Sequence, residues 1–101
     1  MALRLALALA ASLVACGGAH ATAFCEIKPT RDGFVALRAG PGADARLLAR
    51  LRVGDEVMLL EESRGGWRRV RWWRADERLA RGFDRARGDG WVRASLIRAC
   101  G

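Results

Sequence analysis

Histidine occurs once, as His20, and no C-x-x-C spacing is present. Beyond residue 20 the chain therefore offers no Ser-His or Cys-His pair for nucleophilic catalysis, and no ligand set with zinc-like spacing. Ser63 and Ser95 stand alone, and the neighbouring carboxylates Glu61 with Glu62 and Asp76 with Glu77 would point to opposite faces of a strand. They read as solvated charge, so neither catalysis nor a metal or cofactor is expected. No apolar run reaches the roughly 20 residues that a membrane-spanning helix needs. No internal repeat is visible, which excludes a solenoid. Lysine occurs once, as Lys28, so the basic charge is almost entirely arginine.

What the sequence does contain begins with a leader. Met1 is followed by Arg4, an apolar tract over residues 5–15, and small residues ending at Ala23. A basic start, roughly 7–15 apolar residues and an A-x-A end form a secretory signal. Two exits are open. Cleavage after Ala21-Thr22-Ala23 would release a soluble chain over residues 24–101, periplasmic or secreted; Leu13-Val14-Ala15-Cys16 instead resembles a lipobox, with Cys16 lipidated and the protein held at a membrane. In either case Cys25 and Cys100 remain near the two ends of the exported domain. Exported thiols oxidise, so the two are expected to pair. Closing a loop of that length stabilises a fold by about 4 kcal/mol in the chain-entropy treatment.

Charge is uneven. Residues 24–63 hold 6 basic and 7 acidic side chains, whereas residues 64–101 hold 11 basic and 4 acidic ones, so the positive charge lies in the second half. An anion-facing surface in the cell envelope accounts for this, and so does a basic face that keeps the protein soluble. The charge also permits nucleic-acid binding, against which export argues.

From residue 34 the pattern is that of strands. Residues 34–42, FVALRAGPG, read as an extended run entering a turn, because a residue before proline avoids helix and glycine permits positive φ. Residues 47–51 and 56–61 continue the theme, and Gly65-Gly66 turns the chain into WRRVRWW at 67–73. A two-residue period puts Val70 and Trp72 toward the core and leaves Trp67 and Trp73 among arginines on the other face. Residues 74–89 then form a charged excursion, anchored by Leu79 and Phe83 and with a helical turn expected around 75–81. Order returns at Gly90-Trp91-Val92.

The succession Val35-Ala36-Leu37-Arg38-Ala39-Gly40-Pro41, Leu51-Arg52-Val53-Gly54-Asp55-Glu56-Val57, Gly66-Trp67-Arg68-Arg69-Val70 and Gly90-Trp91-Val92 resembles the bacterial SH3 domain. The resemblance implies an all-β, SH3-like, partly open β-barrel of five or six short strands, here with one long inserted loop at 74–89. It implies an exported interaction or cell-wall targeting module, often joined to a hydrolase, whose strand ends meet. Two departures matter: Ala36 stands where the family often has an asparagine that braces the turn, and the inserted loop is longer than usual.

The expected ligand-binding residues are Arg38, Trp67, Arg69, Arg71, Trp73 and Trp91, with tryptophans giving stacking surface and arginines binding carboxylates. Trp91 is the one of the three tryptophans most expected in the core. The expected partner is the peptidoglycan stem peptide or an acidic envelope ligand. In the alternative reading the protein is structural and docks to another envelope protein through its arginine-rich face.

Overall fold

The computed structural model describes residues 23–78 and 85–101. Residues 1–22 of the expected leader (1–23), with Cys16 and His20, and the anchors Leu79 and Phe83 lie outside the described residues. The strands are β1 (Phe24–Ile27), β2 (Val35–Arg38), β3 (Leu47–Leu51), β4 (Glu56–Arg64), β5 (Trp67–Trp73), β6 (Gly88–Arg93) and β7 (Ile97–Arg98), with a 3₁₀ turn (Ala94–Leu96) before the last. They form one curled antiparallel sheet in the order β3-β2-β6-β5-β4-β1-β7. The count is seven rather than five or six, because residues 24–27 pair between β4 and the C-terminal strand. The ladder even begins at Ala23, whose carbonyl accepts from the Leu59 amide at 3.0 Å.

Alternation along the strands builds the core. Cys25, Ile27, Val35, Leu37, Leu51, Val57, Val70, Trp72 and Val92 turn to the concave side and bury one another. Val70 and Trp72 thus occupy the inner face that their spacing predicts. Cys25 is part of this core, and its sulfur lies 2.00 Å from that of Cys100, so the disulfide ties β1 to the end of the chain. Phe24 and Gly101 extend the tie by exchanging backbone hydrogen bonds at 3.5 and 3.0 Å.

Two turns differ in their chemistry. Gly65 and Gly66 both have positive φ, +55° and +86°, which is the type I′ geometry that joins β4 to β5 with matching twist. Gly40 and Gly42 do not adopt positive φ, contrary to expectation. Their turn is held instead by hydrogen bonds: Gly42 N–H donates to the Gly40 carbonyl at 2.9 Å, and Ala39 N–H to the Arg46 carbonyl at 2.8 Å.

The outer face corrects the reading of the tryptophans. Trp73 is 0% and Trp67 7% exposed, so neither lies at a wet surface. Trp73 packs with Phe24 at 5.9 Å between ring centroids, and Phe24 is covered in turn by the Arg78 guanidinium at 4.3 Å. Arg93 lies 4.8 Å over Trp67. Alternation tells which side of a strand a residue takes; it does not tell that the convex side is roofed by β1 and by long arginine stems. Trp91, expected in the core, is the half-buried one, because its parity on β6 points outward.

The excursion is fastened at both ends. Asp55, buried beside the turn at Gly54, accepts from the Arg52 amide at 2.8 Å, from the Ala75 amide at 3.1 Å and from Arg74 Nη1 at 2.6 Å. At the other end Arg87 N–H donates to the Trp72 carbonyl at 2.8 Å, and its guanidinium pairs with Glu77. Arg74 and Arg87 also lie over the Trp72 ring, at 4.7 and 5.9 Å. Glu77 and Arg78 are helical, within the turn expected around 75–81, and Gly88 and Asp89 belong to β6, so the inserted loop ends at residue 87 rather than 89.

Gly90 makes the closest approach in the sheet. A Cβ there would sit 2.6 Å from Leu37 Cγ, 2.9 Å from Leu37 Cδ1 and 3.0 Å from the Arg38 carbonyl oxygen. Replacing Gly90 with alanine is expected to destabilise the domain by about 1–3 kcal/mol through overpacking, measured as a lower urea midpoint with unchanged slope.

Candidate ligand-binding face

The pairing register decides which expected site residues meet. Arg38 of β2 and Arg69 of β5 both stand directly opposite Trp91 of β6, on its two sides. Opposed residues on neighbouring strands share a face, so Arg38, Trp91 and Arg69 form one row across the convex surface. Arg71 with Asp89 forms the next row toward the excursion, and Trp67 with Arg93 the row on the other side. Trp73, opposite Glu56, has the parity of this face but is buried beyond the Arg71 row, packed against Phe24.

The chemistry differs from one arginine to the next. Arg38 Nη1 donates to the Ala45 carbonyl at 2.9 Å, so this guanidinium braces the Gly-Pro-Gly turn. It does so from the same strand where Ala36 lacks the bracing amide. Arg71 is committed to Asp89, with Nε and Nη2 donating to the two carboxylate oxygens at 2.8 and 3.0 Å. Arg69 Nη1 donates to Glu62 at 3.0 Å and approaches Asp89 only to 3.7 Å. Among the described residues Arg93 has no carboxylate partner. It was missed in the sequence because only its place just after Gly-Trp-Val marks it.

Trp91 is set apart from the other tryptophans. Trp67 and Trp72 each carry a guanidinium over the ring and Trp73 packs against Phe24. Among the described residues none is stacked over Trp91, which is half-buried between two arginines in register. A flat apolar surface flanked by cations suits a ligand that carries both a carboxylate and apolar groups.

A separate cleft of about 380 Å³ lies elsewhere, lined by Glu26, Ile27, Val53, Gly54, Glu56 and Asp76. None of the expected ligand-binding residues contributes to it, and its carboxylates suit no anion. Glu56 is moreover occupied by Arg78, at 3.0 and 3.2 Å. Among the described residues no three His, Cys, Asp or Glu side chains converge on a metal position.

The Arg71 hydrogen bonds hold the Asp89 carboxyl below its ordinary pKa, and Asp89 raises that of Arg71. A depressed carboxylate contributes stability above its unfolded pKa of about 4, and that contribution is lost as pH falls through the lower folded value. Comparing wild type with Asp89→Asn between pH 7 and pH 2 checks the sign. The wild type is expected to be more stable by up to about 1 kcal/mol near neutrality, with the difference closing only in strong acid.

The match to known proteins covers most of this architecture. The family described as Bacterial SH3 domain matches residues 33–98, from the turn before β2 through β7. Searches of curated proteins and of solved structures returned no significant match. With the curled all-β sheet, the Gly-Pro turn and the Gly-Trp-Val strand in place, the chain belongs to the bacterial SH3 domain family, a family of binding modules.

Proposed function

We propose that this protein is a non-catalytic, exported binding module that takes a carboxylate-bearing cell-wall peptide on the convex face of β2, β6 and β5. One observation carries the reading: Trp91, half-buried and unstacked among the described residues, lies in register between Arg38 and Arg69. Stem peptides of the wall combine carboxylates with small apolar side chains, which is the chemistry this row can satisfy. Trp91 supplies the stacking surface and Arg69 the charged hydrogen bonds, while Arg38 and Arg71 hold the turn and the neighbouring row in shape.

Export rests on the leader, Arg4 with its apolar tract and Ala21-Thr22-Ala23, with lipidation at Cys16 as the membrane-anchored alternative. The disulfide between Cys25 and Cys100 agrees with an oxidising compartment.

The second reading, a structural protein docking through its arginine-rich excursion, has less support. The described arginines of that segment, Arg74, Arg78 and Arg87, are engaged with Asp55, Glu56 and Glu77, although Arg85 is exposed.

Purified mature protein is expected to co-sediment with isolated peptidoglycan sacculi. Trp91→Ala should weaken binding by about tenfold or more, as loss of a central aromatic anchor does, whereas Arg85→Gln should leave it unchanged. Sedimentation that is indifferent to Trp91→Ala would overturn the reading. If instead Arg85→Gln abolished capture of a protein, the docking reading would replace it.

A further inference from the structure

We propose that Glu62 is an internal stand-in for the ligand's carboxylate, holding Arg69 in the free protein and giving way when the ligand arrives. The inference rests on the wall-peptide reading of the Trp91 face and deepens it.

Arg38, Arg69 and Arg71 of that face are not equally exchangeable, and Arg93, over Trp67, has no acid to exchange among the described residues. Arg71 is gripped at two nitrogens by Asp89, whose side chain is 26% exposed. Arg38 has an N–H committed to a backbone carbonyl on the turn it supports. Arg69 is held by one 3.0 Å hydrogen bond to Glu62 and by a longer 3.7 Å ion-pair contact to Asp89, and both Arg69 and Glu62 are open to solvent, at 38% and 52% exposure. The arginine beside Trp91 with the weakest hold is therefore the one on which an incoming carboxylate can replace a protein carboxylate.

Glu62 does not reach Arg69 by ordinary strand pairing. The β4–β5 register passes from Leu59 opposite Val70 to Ser63 opposite Arg68, so Leu60, Glu61 and Glu62 together face the single residue Arg69. Such a bulge bends a strand and re-aims its side chains. This one is fastened: Arg68 Nε donates to the Leu60 carbonyl at 2.7 Å, which satisfies an acceptor within the bulge. The extra residues thus deliver a carboxylate from β4, the strand on the far side of Arg69 from Trp91, to the guanidinium that an incoming carboxylate would take.

An exposed ion pair of this kind adds little to folding stability, which makes Glu62 cheap to displace and still able to compete. Its charge also lowers the positive potential that would draw an anionic peptide to the face. Removing that charge while keeping the side chain's shape should strengthen binding without disturbing the fold.

The test titrates muropeptides, released from purified sacculi, into full mature wild type, Glu62→Gln, Arg69→Gln and the double variant by calorimetry. Glu62→Gln is expected to bind about two- to fivefold tighter than wild type, the range an exposed pair can command. Arg69→Gln should bind more weakly, and adding Glu62→Gln to it should bring no gain. Binding by Glu62→Gln where wild type shows none would also support the stand-in role. If wild type binds through Trp91 but Glu62→Gln is unchanged or weaker, the stand-in role is wrong while the wall-peptide reading survives. If neither wild type nor Glu62→Gln binds, both fall together.

Discussion

One register pair joins the two parts of this sheet. Among the described residues β2 pairs with β6 only at Arg38 opposite Trp91, and this bridge links the β2–β3 hairpin to the run β6-β5-β4-β1-β7. It is possible because Gly90, one residue earlier, presents bare backbone to Leu37; any side chain there would meet Leu37 and the Arg38 carbonyl. The inner side of the bridge therefore sets core packing, and its outer side sets the row of Arg38, Trp91 and Arg69. Fold closure and the proposed binding face are two sides of the same backbone contact.

Much of the arginine excess is spent on the protein itself. Arg74 reaches buried Asp55, Arg78 covers Phe24 and pairs with Glu56, Arg87 pairs with Glu77, and Arg71 with Asp89. Planar guanidinium groups stack on rings and make two-pronged contacts with carboxylates, so they can roof a small barrel whose own core is limited. The formal charge of the second half thus overstates what is free to attract a ligand. Of what remains among the described residues, Arg69 is loosely held beside Trp91 and Arg93 lies over Trp67 without an acid, while Arg64, Arg85 and Arg98 are exposed elsewhere.

The sequence revealed the fold better than the site, for physical reasons. The Gly-Pro turn, the Gly-Trp starts and the terminal cysteines are local signals, each tied to a backbone constraint or a covalent bond. Alternation likewise placed Val70 and Trp72 in the core. The states of Trp67 and Trp73 were not legible, because their burial comes from β1 and from arginines distant in sequence. The pairing of Arg71 with Asp89 spans 18 residues across the excursion, and the β4 bulge appears only in the register. Arg38 and Arg71 lie on the convex face, but their hydrogen bonds give them bracing roles that residue type alone does not disclose.

On the proposed reading, ligand meets this domain at Trp91 and not at the other tryptophans or at the excursion. The four indole N–H signals in a nitrogen-15 correlation spectrum report on it separately, once assigned by single substitutions. On adding muropeptides the Trp91 indole signal, with the Arg69 side-chain signal, is expected to move progressively while those of Trp72 and Trp73 stay in place. Shifts confined to the Trp72 indole and to residues of the excursion, with Trp91 unmoved, would contradict it.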